Sequence, residues 1–400
     1  MSAKRNTNVL VVQSGGPTPV INRSLVGIIS EASARRGFGK LHGAVHGLDG
    51  LLDGQAIDLR KQGAAALARV ARTPGAALGS TRRKLKPADV PVILERLTEL
   101  GTGYLFVIGG NDSVETGLAI AREAGSVGFG LSVIHIPKTI DNDLAGTDHC
   151  PGYGSAARFV ALATMGAGRD AEAMGQASPI AVIEVMGRDA GWLAAASALG
   201  KRAERDAPHV LGLPEVPVDE DRFVRLMEDA YRRYGFAVAV VAENARGLKG
   251  VLGGQARPYR VDEFDHPYFE GAGGYLARLL EHLLKVRVRC ERPGTIQRSL
   301  AACVSPTDAE EAEVAGRAAV RYALEGHAGV MVSLVRESER PYHCVVGIAP
   351  LEQVAGQVKR MPGDYLDHGR YFVRPAFARY ARPLVGPLPL FGRLDTPRTP

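Results

Sequence analysis

The segment with the densest set of chemically active side chains in this sequence is Pro137 to Asp143, PKTIDND. It follows the apolar run Leu131 to Ile136, which predicts a buried strand of a parallel sheet. Asp141 and Asp143 are two residues apart, so in an extended segment their carboxylates share a face and raise each other's pKa. Such a pair suits a metal ion or proton transfer. The alternative is a polar turn, because Asn and Asp are ordinary turn formers.

The same pattern, an apolar strand that ends in a polar or glycine-containing loop, recurs along the chain. Further strands are predicted at Val9 to Gln13, Tyr104 to Ile108, Ile180 to Val185 and Phe236 to Ala242. The loops after them contain Gly16, Asn111 with Asp112, Arg188, and Glu243, in that order. Ligands of doubly wound sheets bind at the carboxyl ends of the strands, so these loops are expected to meet.

Two other loops carry cations that suit phosphate groups. Arg82, Arg83 and Lys84 follow a Gly-Ser turn, and Arg298 lies in the polar loop Gly294 to Ser299. The guanidinium fork of arginine matches phosphate oxygens. For the cationic triplet, a solvated surface charge run is the ordinary alternative.

The periodicity also predicts the elements that position these loops. A strand is expected at Gly43 to Leu48, and Ser113 is expected to cap a helix from Val114 to Ala124. The proline-rich tail from Pro375 is predicted to be extended and poorly packed. The predicted fold class is α/β, with two lobes built on doubly wound, mostly parallel sheets.

Composition narrows the class of function. The chain has 400 residues with 48 glycines, which fits two α/β lobes or one large domain. Its formal net charge of +6 would help to attract an anionic substrate. No basic run is interleaved with aromatic residues, so nucleic-acid binding is disfavoured. The four cysteines are isolated and indicate neither a disulfide framework nor a structural metal site. The longest apolar run, Phe236 to Ala242, is too short to cross a bilayer, and a cytoplasmic location is expected.

The candidate residues favour one kind of chemistry. The sequence contains cations and glycines for more than one phosphate, and carboxylates for a metal or a hydroxyl proton, without a Ser/His/Asp or Cys/His nucleophile arrangement. Positioning and charge stabilisation without a covalent intermediate are what phosphoryl transfer requires.

In motif order from Val9 to Arg298, the chain resembles the phosphofructokinases. The resembling segments are Gly15 to Asn22, Arg82, Gly109 to Ser113, Thr139 to Asp143, Met186 to Arg188, Glu243, and Ile296 to Arg298. The resemblance implies reversible phosphoryl transfer to the 1-hydroxyl of fructose 6-phosphate, with Mg²⁺ as cofactor. It also implies a homodimer or homotetramer, in which Arg289 reaches into a neighbouring subunit's site.

The resemblance assigns a role to each candidate residue. Asp141 would be the general base and Lys138 would stabilise the transition state, with Asp112 beside them. The donor site would consist of Gly16, Arg82, Asp112 and Lys138. The sugar-phosphate site would consist of Thr139, Ile140, Asp141, Met186, Gly187, Arg188, Glu243, Arg289, Thr295 and Arg298. Asn111 and Asp143 would hold the metal.

Two positions distinguish the pyrophosphate-dependent from the ATP-dependent members of this family. Pyrophosphate-dependent members have Asp and Lys where this chain has Asp112 and Lys138, whereas ATP-dependent members generally have glycine at both. A carboxylate at Asp112 would repel the α-phosphate of ATP, and Lys138 adds a cation beside the transferred group. Pyrophosphate is therefore the expected donor. The alternatives are an ATP-dependent enzyme, or a catalytically silent relative that binds sugar phosphate.

Three positions depart from the family's pattern. Asn111 stands where an Asp is usual, Thr295 replaces a His or Tyr, and Pro179 replaces an arginine that bacterial ATP-dependent members supply from the adjacent subunit. The expected lobes are a donor-binding lobe of 1–137 with about 295–325, and a sugar-phosphate lobe of 138–294 with about 326–374. Residues 375–400 would form the proline-rich tail.

Overall fold

A computed structural model describes residues 7–252, 260–261, 267–268 and 271–394. The strands are β1 Thr7–Gln13, β2 Phe38–Ala44, β3 Ala56–Asp58, β4 Thr102–Gly109, β5 Ser132–Pro137, β6 Ile180–Val185, β7 Val210–Gly212, β8 Ala237–Ala242, β9 Arg246–Gly247, β10 Gly250–Val251, β11 Arg260–Val261, β12 Pro267–Tyr268, β13 Val288–Glu291, β14 Val330–Glu339, β15 Tyr342–Pro350, β16 Leu366–Asp367 and β17 Phe372–Val373. The helices are α1 Ile21–Ala34, α2 Gly47–Leu52, α3 Ala64–Val70, α4 Asp89–Glu99, α5 Asn111–Ser126, α6 Tyr153–Met174, α7 Trp192–Ala196, α8 Glu220–Tyr234, α9 Ala272–Leu284, α10 Pro306–Leu324, α11 Leu351–Val354 and α12 Pro375–Val385.

The first lobe is built on a seven-stranded sheet in the order β15-β14-β5-β4-β1-β2-β3. Its inner pairings, from β14 to β2, are all parallel, and helices cover both faces. Residues alternate between the faces: Val9 and Val11 pack with α1 and α10, whereas Leu10 and Val12 pack with α4 and α5. Burial on both faces explains why these strands are continuous apolar runs.

The second lobe contains a four-stranded sheet in the order β13-β6-β8-β7, in which every pairing is parallel. Its hydrophobic core includes side chains from α6, α7, α8, α9 and α12. The predicted α/β class with two mostly parallel sheets is confirmed. None of the helices in the described part of the chain has the length and apolar character needed to cross a membrane.

Two local predictions in the first lobe are wrong. The second strand is Phe38–Ala44 rather than Gly43 to Leu48, and the chain leaves it through left-handed residues at His46 and Gly47 to enter α2. This strand is buried only at alternate or scattered positions, so it lacks an apolar run. Helix α5 begins at Asn111, so Ser113 is buried within its first turn and does not cap it.

The C-terminal predictions also need correction. Strands β14 and β15 pair in the first sheet, whereas the sequence predicts that residues 326–374 belong to the sugar-phosphate lobe. The tail predicted to be extended from Pro375 begins instead with α12, whose Phe377, Tyr380 and Leu384 are buried in the second core. Residues 386–394 form no helix or strand, and residues 395–400 lie outside the described part of the chain. Proline at the first helical position is compatible with a helix, and the three-to-four residue spacing of these apolar side chains gives one buried face.

Candidate active site

The glycine turn after β1 lies between two other candidate loops. The hydroxyl of Ser80 donates a hydrogen bond to the Gly15 carbonyl at 2.6 Å, and the Gly15 N–H donates to the Thr81 carbonyl at 3.0 Å. Gly15 has φ 78°, a left-handed conformation that favours glycine. A Cβ on Gly16 would collide with Nη1 of Arg298. A side chain at position 16 would therefore displace the Arg298 guanidinium from its place against this turn.

Lys138 follows β5 and places its ammonium group against the same turn. Its side chain is buried, and Nζ donates a hydrogen bond to the Gly16 carbonyl at 2.8 Å. Burial lowers the pKa of Lys138 to about 8, and the carboxylate of Asp141 acts in the opposite direction. The Lys138 backbone N–H donates to the Gly109 carbonyl at 3.0 Å, which fixes the residue beside the Gly109–Gly110 turn.

Asp141 is partly buried in the loop that follows Lys138. Its backbone N–H donates to Oγ1 of Thr139 at 3.0 Å. Burial raises the pKa of the Asp141 carboxyl to about 7, and the negative charge of Asp143 adds to the shift. A carboxylate whose pKa lies near neutrality is suited to accept a proton and release it again.

Asn142 determines the shape of this loop. It has φ 56° and is fully buried, so Asp141 and Asp143 are not part of one extended segment as the sequence suggested. Its Nδ2 donates to the Tyr380 hydroxyl at 2.9 Å, and its Oδ1 accepts from the Cys150 N–H at 3.0 Å. These bonds hold the left-handed residue that orients the two carboxylates.

Asn111 and Asp143 form a pair of oxygen-bearing side chains. Nδ2 of Asn111 donates to Oδ2 of Asp143 at 2.7 Å, and burial raises the pKa of Asp143. Within the described residues, Oδ1 of Asn111 is buried without a hydrogen-bond partner. An unpaired amide oxygen next to a carboxylate fits a hard divalent cation.

Asp112 lies in the first turn of α5, beside the Lys138 loop. It is exposed, and in the described parts of the chain its carboxylate has no hydrogen-bond or ion-pair partner. A Cβ on Gly110, two residues earlier, would lie 3.5 Å from the Lys138 carbonyl. The start of α5 and the Lys138 loop are thus adjacent.

The loops after β6 and β8 meet on the other side of Asp141. The backbone N–H of Arg188, which has φ 50°, donates to Oε1 of Glu243 at 3.1 Å. The N–H of Met186 donates to Oε1 of Gln297 at 3.1 Å, which ties in the segment of Arg298. The positive charge of Arg188 acts on the pKa values of Lys138, Asp141, Asp143 and Arg298.

The structure brings most of the predicted residues together. The positive charge of Arg82 contributes, after burial, to lowering the pKa of Arg298, whereas Arg83 is paired with Asp89 at 2.8 Å. Thr139, Ile140 and Gly187 are buried where their loops meet the second core. The members of this cluster are Gly16, Arg82, Asn111, Asp112, Lys138, Thr139, Ile140, Asp141, Asp143, Met186, Gly187, Arg188, Glu243 and Arg298.

Two predicted residues lie apart from this cluster. Arg289 is on β13, the edge strand of the second sheet, where it forms an ion pair with Asp170 of α6. Thr295 is exposed in the turn Gly294–Arg298, and its carbonyl accepts a hydrogen bond from the Ser299 hydroxyl. Within the described residues, neither side chain forms a hydrogen bond or an ion pair with the other site residues.

Two residues that support the Asp141 loop could not be identified from the sequence. Lys359 donates from its backbone N–H to the Asp143 carbonyl at 2.8 Å, and its Nζ donates to the Asp148 carbonyl at 2.7 Å. Tyr380 holds Asn142 from α12. Both lie more than two hundred residues from the loop in sequence, and no local motif marks them.

Replacing Tyr380 with phenylalanine should destabilise the protein by about 1–3 kcal/mol, because it leaves the buried Nδ2 of Asn142 without an acceptor. The measurement is the shift in chemical denaturation relative to the unchanged chain. Tyr365→Phe is the matched control: its ring lies 5.6 Å from that of Tyr380, and no hydrogen bond of its hydroxyl is found within the described residues. Equal shifts for the two variants would contradict the role of the Tyr380 hydroxyl.

Comparison with known proteins gives a consistent picture. A family model described as phosphofructokinase matches residues 8–323. The pyrophosphate–fructose 6-phosphate 1-phosphotransferase of Rhodospirillum rubrum is 40% identical over 385 residues, 94% of each chain. The enzyme of the same name from Xanthomonas campestris is 39% identical over 392 residues, 96% of this chain and 93% of its own. The crystal structure of a pyrophosphate-dependent phosphofructokinase from Nitrosospira multiformis superposes with a TM-score of 0.87 at 33% identity, covering 97% of this chain and 94% of that one.

Proposed function

This chain belongs to the phosphofructokinase family, and we propose that it transfers a phosphoryl group from pyrophosphate to the 1-hydroxyl of fructose 6-phosphate. The products are fructose 1,6-bisphosphate and phosphate, and the reaction is reversible. The observation that carries this proposal is the buried ammonium group of Lys138, hydrogen-bonded to the glycine turn at Gly16. It is a fixed positive charge where a transferred phosphoryl group would lie.

Asp141 is the proposed general base. Its carboxylate, with a pKa near 7, takes the proton of the sugar 1-hydroxyl as that oxygen attacks phosphorus. The new bond joins the sugar oxygen to phosphorus, and the bond from phosphorus to the bridging oxygen breaks. The released phosphate carries away the bridging oxygen and its electron pair.

The donor would be held from three sides. The backbone of the Gly16 turn and the guanidinium of Arg82 bind the terminal oxygens, while Lys138 neutralises the charge that develops during transfer. The free carboxylate of Asp112 would repel the additional phosphate of a nucleotide. Selection of pyrophosphate thus combines one attraction and one repulsion.

The sugar phosphate would lie against the loops of the second lobe. Arg188 and Arg298 provide cations for its phosphate, and Glu243 accepts hydrogen bonds from sugar hydroxyls while it holds the Arg188 N–H. Thr139, Ile140, Met186 and Gly187 form the neighbouring walls. Arg289 lies apart from this cluster, so its proposed contact to substrate would be made in the site of a neighbouring subunit of a homodimer or homotetramer. Thr295 shares the turn Gly294–Arg298 with Arg298 and would lie beside the sugar.

Mg²⁺ is the proposed metal, held by Asp143 and the unpaired Oδ1 of Asn111. When bound, it would neutralise negative charge on the phosphate oxygens of the donor. Asn111 in place of a carboxylate leaves one less negative charge on the metal. A cytoplasmic location is part of the same proposal, since the sugar phosphate, pyrophosphate and four free thiols belong to a reducing interior.

A donor panel tests the proposal. The purified chain is supplied with fructose 6-phosphate and Mg²⁺, and turnover is compared between pyrophosphate and ATP, then in reverse with fructose 1,6-bisphosphate and phosphate. We expect turnover with pyrophosphate in both directions. Equal turnover with ATP would refute the donor assignment, and binding of fructose 6-phosphate without turnover on any donor would favour the silent relative.

The pH dependence of kcat/KM for pyrophosphate should show a decrease as the pH rises through about 8, where Lys138 loses its proton. The sign follows from burial: the lowered pKa leaves the ammonium form below about 8 and a neutral amine, which cannot stabilise the phosphoryl charge, above it. Lys138→Arg should lose this decrease because a guanidinium stays protonated. The exposed Lys84→Arg is the matched control and should retain it. The same decrease in Lys138→Arg would exclude Lys138 as its source.

A further inference from the structure

A second group of ligating side chains lies behind the Asp141 loop. It consists of His149 from the loop before α6, Glu311 from α10 and Cys344 from β15. One ligand atom from each, an imidazole nitrogen, a carboxylate oxygen and a thiol sulfur, lies within 4.8 Å of the other two. The three residues do not have the short sequence spacing of a metal-binding motif, because they come together only through the fold.

The histidine of this group is oriented as metal-binding histidines are. Its Nδ1 lies 2.8 Å from Oδ2 of Asp148, and its Nε2 lies 2.6 Å from Oε2 of Glu311. Asp148 is itself fixed by the guanidinium of Arg336 at 2.9 Å. A carboxylate on the remote nitrogen sets the ring orientation and increases the basicity of the ligating nitrogen. Here that leaves Nε2 directed at Glu311.

We propose that His149, Glu311 and Cys344 form a binding site for Zn²⁺. Imidazole nitrogen, carboxylate oxygen and thiolate sulfur are the three ligand types that Zn²⁺ uses, and three protein ligands leave the fourth tetrahedral position for water. Tetrahedral bonds of about 2.0 to 2.3 Å place ligand atoms about 3.5 Å apart. Nε2 of His149 and Oε2 of Glu311, now 2.6 Å apart, would have to separate to this spacing when the ion binds.

Binding of the metal would displace protons from two of the ligands. Zn²⁺ would take the place of one proton on Nε2 of His149 and one on the Cys344 thiol, while the guanidinium of Arg336 stays paired with Asp148. The hydroxyl of Tyr342 donates to the other oxygen of Glu311, which leaves Oε2 for the metal.

The site would connect three separate parts of the chain. It joins the edge strand of the first sheet to α10 and to the segment that contains Cys150, whose N–H donates to Asn142. Metal that binds only the folded protein raises its thermal stability. This inference does not depend on the proposed phosphoryl transfer, because it is tested by binding and spectroscopy.

The test replaces Zn²⁺ with Co²⁺, in buffer that contains Mg²⁺, and records the absorption spectrum. We expect tetrahedral d–d bands and a thiolate-to-cobalt charge-transfer band that one equivalent of Zn²⁺ abolishes. Cys344→Ser should lose the charge-transfer band and bind Zn²⁺ at least about 10-fold more weakly, and His149→Gln should weaken binding similarly. Cys290→Ser, which removes an exposed thiol on the second sheet, is the matched control and should match the unchanged chain.

A second measurement uses the unchanged protein, so it does not depend on the folding of any variant. Zn²⁺ should slow alkylation of Cys344, read out by peptide mass, and leave the rate at Cys290 unchanged. A charge-transfer band that persists in Cys344→Ser, unchanged Zn²⁺ affinity in that variant, or equal alkylation of Cys344 with and without Zn²⁺ would each overturn the proposal.

Discussion

Replacing Asp141 with asparagine should lower kcat by at least about 100-fold, the loss expected when a general base is removed. Asparagine has the same shape but cannot accept the proton of the sugar hydroxyl. Binding of fructose 6-phosphate should remain close to that of the unchanged chain, because the cations that hold its phosphate, Arg188 and Arg298, are still present. Asp141→Ala should abolish turnover in the same way.

Stability separates this catalytic role from a structural one. The pKa of Asp141 is raised to about 7 by burial and by Asp143. Above that pH, the folded protein contains an ionised carboxylate that is less stable there than in the unfolded chain, which lowers the free energy of unfolding. Asp141→Asn removes that cost and should leave the melting temperature at pH 8 unchanged or higher. Asp53→Asn, at an exposed carboxylate after α2, is the control for charge loss alone.

The same preparations are therefore used for three measurements: turnover by phosphate release, sugar binding by calorimetry, and the melting temperature. Near-normal turnover in Asp141→Asn would exclude it as the base. A fall in turnover that accompanies an equal loss of sugar binding, or a large fall in melting temperature, would assign it a positioning role instead.

The buried parallel strands were the part of the fold that the sequence predicted best. Strands β5, β6 and β8 lie within two residues of their predicted bounds, because burial on both faces leaves an uninterrupted apolar run. Strand β2 lies nearer the edge of its sheet and is only partly buried, so it has no continuous apolar run. The strand predicted at Gly43 to Leu48 therefore begins several residues too late in the sequence. The prolines near the C-terminus predicted an extended segment where α12 forms. Pro375 is compatible with the first helical position, and Pro383 lies near the end of the helix.

The site residues that could be identified from the sequence are those that lie close to the end of a buried strand. Residues that immediately follow a buried strand, such as Lys138 and Arg188, could be assigned from the sequence because the strand ends fix their position. Tyr380 and Lys359 could not, since their contribution is a hydrogen bond to a loop distant in sequence. The left-handed Asn142 was also not predictable as such, because its conformation depends on those remote partners.

Exchanging both donor-sorting residues, Asp112→Gly with Lys138→Gly, should reduce kcat/KM for pyrophosphate by at least about 100-fold and open the site to ATP. The two residues are expected to act differently. Lys138 is buried against Gly16, so its removal withdraws a fixed cation from the transferred group. Asp112 is exposed in the first turn of α5, so its removal takes away a repulsive charge with little change in packing.

The single variants separate attraction from repulsion. Asp112→Gly alone should gain ATP binding, measured by calorimetry, while it keeps most of its turnover with pyrophosphate. Lys138→Gly alone should lose turnover with pyrophosphate and gain little affinity for ATP, because the Asp112 carboxylate still repels the additional phosphate. If the residues contribute independently, the double variant combines the two changes, and any deviation measures their coupling.

Glycine in a helix also destabilises it, so Asp112→Gly needs a matched control. Glu115→Gly makes the same change of charge and of backbone freedom three residues further along α5, at another exposed position. It should show a loss of stability of similar size, below about 1 kcal/mol, with no gain in ATP binding. If Asp112→Gly keeps its turnover with pyrophosphate yet binds ATP no better than Glu115→Gly does, repulsion by the Asp112 carboxylate is not what excludes ATP, and selection of the donor must then reside in Lys138 and the shape of the glycine turn.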